Sequence, residues 1–288
     1  MASSRDIKRR IASVSNTQQI TRAMKLVSSA KLRRTRTAWQ AADPYCRRLT
    51  GALRRLAPSC GDHPWLARNE GRGRVLYVAV GSDRGLAGSF NVCLHRFLDD
   101  LLACEYREYD LLASGFRLVD YCRRRGYHLI GELDDIGDCP DFKVSLELAR
   151  RLTDSFDRGE YCAIYLVHGG FHPSLVPRAL RRRLLPLAPP EDYGETEEGG
   201  EDDYIFEPSH QEVLSALLPL YANTMVYSAL VEAKAAEHGA RMAAMSSATD
   251  NAREMIADLT LSLNRARQAA ITTEISEIVG GAAALTQT

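Results

Sequence analysis

The sequence lacks the features that mark membrane-spanning, secreted and metal-binding proteins. No apolar run approaches the roughly 18 residues that span a bilayer, and no apolar signal-peptide stretch follows the charged N-terminus. A helical pattern that begins at residue 3 without a cleavage-like break also argues against a transit peptide. The seven cysteines are odd in number and scattered, with no CxxC pair. They argue against a zinc site or a disulfide framework and favour a reducing compartment.

Complete catalytic motifs are also missing. GSDRGLAGSFN could hold an anion on backbone N–H groups where a strand meets a helix, but it is neither G-x-G-x-x-G nor a P-loop, so a tight βα turn is the preferred interpretation. His168 and His172 flank a Gly-Gly pair, which predicts a loop rather than a metal-binding helix. Ser82 and Asp83 lack the G-x-S-x-G context of a hydrolase. We therefore predict no catalytic, cofactor-binding or metal-binding residue.

Both ends of the chain have the pattern of long helices. The first is predicted from Ser3 to about Ala57 and the last from about Ser209 to Leu285. At 1.5 Å per residue they would reach about 80 Å and 110 Å. Apolar and small residues recur at spacings of three and four in both, as expected for helices that pair with each other. Pro44 is predicted to kink the first helix or to start a new segment, and Ser209 is a predicted N-cap with Glu212 three residues on.

The middle of the chain has an α/β pattern. VLYVAV at 75–80 is typical of a buried parallel strand, and further strands are predicted near 110–115, 161–171 and 179–187 with helices between them. This alternation favours a mostly parallel, doubly wound, Rossmann-like sheet. Residues 191–203 carry eight acidic residues and no basic one, which predicts a mobile surface loop.

The predicted fold class is α/β plus a long antiparallel helical coiled coil, in which the terminal helices pair around an inserted domain. Three regions follow: an N-terminal helix at 1–57, an α/β body at 58–208 and a C-terminal helix at 209–288. Their formal net charges are +12, −9 and −3, which sum to zero. The opposite signs of the two terminal helices are consistent with pairing.

Three other functions are alternative interpretations of the basic first helix. It could neutralise nucleic-acid phosphates, but aromatic residues are few and no binding motif is present. Its bulky apolar face is narrow for a membrane-surface helix. Its polar seam is unlike the continuous Leu/Ile seam of a static coiled-coil scaffold.

Specific strings carry a family resemblance. The first helix contains RDIKRRIASVSNTQQITRAMKLVSSAKLRR, and the last contains EHGARMAAMSSATDNAREMIADLTLSLNRARQAAITTEISEIVGGAAAL. SDRGLAG and RRLLPL lie between them in the same order. Together they resemble the gamma subunit of F-type ATP synthases over about 35 residues at one end and about 80 at the other.

The resemblance implies a rotor without bond chemistry of its own and without a cofactor. The paired helices would pass through a hexamer of alternating alpha and beta subunits, one gamma chain per complex. The α/β domain would lie beside the epsilon subunit and the membrane c-ring, on the cytoplasmic side of a bacterial plasma membrane. Ion flow would drive ATP synthesis, and ATP hydrolysis would reverse it. No nucleic-acid partner is expected.

The resemblance also implies contact residues. Those matching positions that couple to the beta subunit are Met24, Lys25, Arg241, Arg267, Gln268, Thr272 and Glu274. Those matching the foot of the subunit, near the ring and epsilon, are Tyr204, Phe206 and Glu207. The cationic residues Arg9, Arg10, Arg33, Arg34 and Arg36 would share in attracting an acidic lever loop of the beta subunit.

Overall fold

The computed structural model describes residues 4–56, 63–66, 73–133, 136–187 and 207–286. The chain divides into two compact units, one of Met1–Val27 with Met242–Thr288 and one of Ser28–Arg241. The long helices α1 (Ser4–Leu56) and α5 (His210–Thr286) each contribute to both units. The division at 1–57, 58–208 and 209–288 follows the helices rather than these units and stays a prediction. The acidic segment 191–203 lies outside the described residues.

The larger unit is built on a five-stranded sheet. Its order is β3-β2-β1-β4-β5, with β1 to β4 parallel and β5 antiparallel at one edge. The strands are β1 Val75–Val80, β2 Tyr109–Ser114, β3 Leu129–Leu133, β4 Ala163–Gly170 and β5 Arg178–Leu185. The helices between them are α2 Phe90–Ala103, α3 Phe116–Arg125 and α4 Phe142–Asp157. The predicted mostly parallel, doubly wound sheet is confirmed.

Helices cover both faces of the sheet, which explains the continuous apolar run of β1. All six residues of β1 are buried and point alternately to opposite faces. One core joins Leu76, Val78 and Val80 to residues of α1, α4 and α5. The other joins Val75, Tyr77 and Ala79 to residues of α2 and α3. The two long helices are therefore part of the domain's own core.

Local signals explain how the long helices begin and continue. The Ser209 Oγ accepts the Glu212 N–H at 3.3 Å, as its predicted N-cap role requires. Pro44 lies inside α1, and no new helix begins there. A proline inside a helix removes one hydrogen bond, and here α1 continues on both sides of it. Of the two alternatives predicted for Pro44, the start of a new segment is therefore excluded, and the kink stays a prediction.

One part of α5 is more apolar than the sequence analysis allowed. An 18-residue window within His210–Val279 has a mean hydropathy of 1.4, so this helix is long and apolar enough to cross a membrane. However, 56% of that window is buried inside the protein. The run is therefore accounted for by packing in the core of the domain, where small and apolar residues face the sheet.

The smaller unit contains the start of α1 and the C-terminal part of α5. The Thr21 and Thr249 hydroxyl oxygens are 2.9 Å apart, and the Lys25 Nζ donates to the Ser246 Oγ at 2.9 Å. Because residue numbers rise on one helix as they fall on the other, the two segments are antiparallel. The polar seam predicted for α1 is thus partly a set of hydrogen bonds between the helices.

Candidate functional site

In a doubly wound sheet the usual ligand site is the crevice at the carboxyl ends of the strands, where the strand order reverses. Here that point lies between β1 and β4, and α5 fills it. Ala87, Phe90, Ala236 and Ala240 form a small buried cluster. A Cβ added to Gly169 would lie 2.4 Å from the Phe90 ring and 3.3 Å from the Ala236 Cβ. The crevice therefore holds a helix where related architectures hold a ligand.

The loop after β1 is also turned toward α5. The Arg241 guanidinium donates to the carbonyl oxygens of Arg84 at 3.1 Å and Gly85 at 3.3 Å. It also donates to the Glu237 Oε1 at 2.8 Å. An anion site would present N–H groups, whereas this loop presents carbonyl oxygens to a cation. The geometry fits the tight βα turn that the sequence favoured.

The predicted beta-subunit contacts lie in three different environments. Met24 and Lys25 are half-buried in the smaller unit, and Lys25 is bonded to Ser246. Arg241 is only 8% exposed, and its guanidinium bonds within the α/β unit. The other four are exposed and lie within two turns of α5: Arg267, Gln268, Thr272 and Glu274.

Of the predicted foot residues, Glu207 is exposed just before α5. Tyr204 and Phe206 lie outside the described residues. The structure thus groups four of the predicted contacts on one stretch of α5 and places Arg241 in the interior. No role of these residues is tested by their position, so each remains a prediction.

An exposed apolar stripe on α5 was missed by the sequence analysis. Ile271, Ile275 and Ile278 are 45%, 56% and 71% exposed and follow one another at spacings of four and three. Such residues lie on one helix face. The spacing is visible in the sequence, but Leu263, Ala266 and Ala270 form a second row at the same spacings on a different face of the helix, so periodicity alone does not show which row is uncovered. A row of exposed isoleucines on one face is a candidate interaction surface.

A second missed feature is the tip of the loop after β1. Leu86 is 62% exposed and has a φ of 61°. A bulky residue in the left-handed region is unusual and is often found at functional positions. No sequence pattern in SDRGLAG indicates which of its residues takes this left-handed conformation.

The two histidines of HGGFH do not share an environment. His168 is fully buried in β4, and burial, with the nearby Arg182, lowers its pKa to about 3. His172 is exposed and contacts the Ser174 hydroxyl at 2.7 Å. Among the described residues, no group of three or more His, Cys, Asp or Glu side chains could hold a metal ion. The six cysteines in the described part of the chain are all free.

Comparisons with known proteins agree over almost the whole chain. A family model described as ATP synthase matches residues 3–285. The ATP synthase gamma chain of Desulforamulus reducens is 47% identical over 290 residues, covering 99% of this chain and all of that protein. The gamma chain of Desulfitobacterium hafniense is 46% identical over 287 residues, with the same two coverages.

Solved structures share the fold at lower identity. A central stalk and c-ring structure of the Tetrahymena thermophila mitochondrial ATP synthase matches with a TM-score of 0.60 and 21% identity, covering 80% of this chain and 99% of that one. A rotor structure of the Euglena gracilis mitochondrial enzyme matches with a TM-score of 0.66 and 17% identity, covering 93% and 98%. These structures share the fold, and the family model together with the two bacterial relatives shows that the chain belongs to the family of ATP synthase gamma chains.

Proposed function

We propose that this chain is the central rotor stalk of an F-type ATP synthase and couples rotation of an ion-driven ring to ATP synthesis. The observation that supports this most directly is the C-terminal stretch of α5. Every residue from 267 to 279 is exposed, including the stripe of Ile271, Ile275 and Ile278. A helix with this much uncovered apolar surface requires a partner. In the complex, the alpha and beta subunits would surround it.

The proposed division of labour puts all bond chemistry in the partner subunits. Three alpha and three beta subunits would form a hexamer around one copy of this chain, with nucleotide bound in the hexamer. Segments 1–57 and 209–288 would form the shaft, and 58–208 the body that meets epsilon and the c-ring through the region of Tyr204, Phe206 and Glu207. The complex would lie at the cytoplasmic face of a bacterial plasma membrane.

Coupling would work by population shift. Contacts that differ between open and closed beta subunits bias which conformation is favoured, and rotation presents a different face to each beta subunit in turn. Met24, Lys25, Arg267, Gln268, Thr272 and Glu274 would supply these contacts, with Arg241 acting as described below.

Exposed charges would let the rotor attract the beta subunits without holding it at one rotary position. Arg9, Arg10, Arg33, Arg34 and Arg36 are all exposed on α1. Exposed ion pairs contribute little individually, roughly 0–1 kcal/mol, and salt screens them. A cationic helix surface facing an acidic lever loop would therefore attract without trapping one rotary position.

Co-expression with alpha and beta subunits from the same source tests the proposal. We expect one copy of this chain per three alpha and three beta subunits, with ATPase activity above that of the hexamer alone. A chain that stays outside the hexamer and instead binds DNA with a steep salt dependence would overturn the proposal.

Substitutions in the exposed stretch test the contacts themselves. Arg267→Ala and Gln268→Ala should lower the ATPase activity of the complex while leaving the helix content and melting temperature of the isolated chain unchanged. Arg253→Ala is a matched control, because Arg253 is also an exposed arginine of α5 but lies outside the stretch 267–279 and pairs with Asp250 of its own helix. Equal effects of Arg267→Ala and Arg253→Ala would contradict the assignment.

A further inference from the structure

Three charged side chains are buried together on α5. Lys234, Glu237 and Arg241 are 3%, 4% and 8% exposed. Glu237 joins the two cations, because its Oε2 is 3.2 Å from the Lys234 Nζ and its Oε1 accepts from Arg241 at 2.8 Å. Burying charges is unfavourable unless they are paired and hydrogen-bonded, and apolar residues of similar size often serve stability as well. Stability alone therefore does not explain this cluster.

Both cations reach from the cluster to the loop after β1. Arg241 donates to the carbonyl oxygens of Arg84 and Gly85. The Lys234 Nζ lies 3.6 Å from the Asp83 Oδ2. The other oxygen of Asp83 accepts the Phe116 N–H at 3.2 Å, at the start of α3. Three successive loop residues are thus held by charged groups of one helix.

The loop conformation requires such support. Leu86 follows directly and has a φ of 61°, which is unfavourable for a bulky side chain and persists only where neighbours determine it. The apolar part of the contact between this loop and α5 consists of Ala87, Ala236 and Ala240 with Phe90. Packing of such small side chains is non-directional, whereas hydrogen bonds are directional. The ionic contacts therefore fix how the loop is seated on the helix.

We propose that Glu237 is a positioning residue: through Lys234 and Arg241 it locks loop 83–86 of the α/β domain onto α5, so that domain and helix turn as one body. That domain and helix turn together rests on the rotor function proposed above, whereas the fixing of the loop onto α5 does not. Arg241 would thereby act on coupling from inside the domain, by seating the loop.

Two variants separate positioning from folding. The triple variant Lys234→Met/Glu237→Leu/Arg241→Leu replaces the buried charges by apolar side chains, so we expect it to fold with stability close to that of the unmodified chain. Asp83→Asn weakens only the outer end of the network, at an exposed residue. The matched control is Asp120→Asn, because Asp120 forms an ion pair with Arg124 inside α3 alone.

The first readout is tryptic cleavage after Arg84 in the full isolated chain, followed by mass spectrometry of the fragment that begins at Gly85. Arg84 is exposed, and cleavage requires the loop to open locally. Losing charged hydrogen bonds to the loop should speed this cleavage roughly tenfold or more in the triple variant and less in Asp83→Asn. Asp120→Asn should match the unmodified chain.

If the triple variant folds and its loop is cleaved no faster than that of the unmodified chain, the proposal is wrong. If the triple variant does not fold, the Asp83→Asn variant decides: a cleavage rate equal to that of the unmodified chain would also show that the proposal is wrong.

The second readout is ion pumping per ATP hydrolysed by the complete complex in vesicles. Asp83→Asn changes none of the residues predicted to contact the beta subunit, and we expect it to keep ATPase activity but pump fewer ions per ATP. If the complex with the unmodified chain does not assemble or pump, the rotor function is wrong. If that complex pumps and the variant pumps equally well with its loop released, the rotor function stands and the mechanical part of this proposal is wrong.

Discussion

The two halves of α5 differ far more in environment than in sequence character. Every residue from 228 to 241 is buried, whereas every residue from 267 to 279 is exposed. Both stretches contain alanine and branched apolar residues, and both are helical. The first is a core helix of an α/β domain, and the second keeps its apolar face uncovered. One continuous helix thus stabilises the domain core in one half and presents, in the other, the surface that we propose for association.

The largest expected effect comes from truncating a side chain in the buried half. Leu218 is 1% exposed and belongs to the core that joins α5 to the sheet. Leu218→Ala should lower the free energy of unfolding by about 2–5 kcal/mol, through lost burial and the cavity left behind. Ile275→Ala, in the exposed half, should change it by no more than about 0.5 kcal/mol. Urea unfolding of the isolated chain measures both, and similar losses would abolish the distinction between the halves.

Enlarging a residue at the filled crevice should have the next largest effect. Ala236 packs against Gly169 and Phe90 at the carboxyl ends of the strands. Ala236→Leu should cost about 1–3 kcal/mol, because the added atoms have no space. Ala269→Leu is the matched control, since Ala269 is exposed on the same helix. Tolerance of Leu at residue 236, measured by thermal unfolding, would mean that the crevice has room for more than α5.

An acid-sensitive contribution should come from the α/β domain, on the sheet face away from α5. Burial opposes ionisation of Glu105, but hydrogen bonds from Arg107 and Tyr77 outweigh it and lower its pKa to about 2. A lowered pKa stabilises the fold above the ordinary value near 4.5, and this contribution is lost as the pH falls toward 2.

Glu105→Gln tests this contribution. The unmodified chain should lose about 1–3 kcal/mol more stability than the variant between pH 5 and pH 2. Urea unfolding at a series of pH values gives the two curves. Curves that run parallel through this range would show that Glu105 does not carry the effect.

The smallest expected effect concerns the smaller unit, where α1 meets α5 through polar contacts. Thr249→Val keeps the side-chain shape but removes the hydroxyl that lies 2.9 Å from the Thr21 hydroxyl. We expect a loss of about 1 kcal/mol, because the buried Thr21 is left with one partner fewer. Thr260→Val is the control, since Thr260 also donates to the carbonyl four residues earlier but is exposed. Equal losses would show that the contact between the helices contributes nothing.

The sheet could be predicted from the sequence because its signals are local. The unbroken apolar run 75–80 requires a strand covered on both faces, and helix patterns on either side require parallel crossovers. The Ser209 cap was readable for the same reason, since its partner lies three residues away. Pro44 left two alternatives open because a proline alone does not show whether the helix resumes after it; α1 does resume, and Leu49 and Leu53 beyond the proline are buried in the domain core.

The site was only partly predictable. The motif resemblance predicts contacts at Arg267, Gln268, Thr272 and Glu274, which the structure places on the surface; their role stays a prediction. It could not distinguish them from Arg241, which is buried, because an arginine in a helical sequence carries no sign of its partners. The carbonyl oxygens that bind Arg241 belong to residues more than 150 positions away.

The sequence by itself determined the elements, their order, the parallel sheet and, through its motifs, the family. These depend on local periodicity and on strings of residues that resemble those of the family. Only the tertiary structure decided that α5 fills the crevice of the sheet, that Lys234, Glu237 and Arg241 are buried against loop 83–86, and that the isoleucine stripe is uncovered. The physical reason is that burial is a property of neighbours, and these neighbours are brought together only when the chain folds.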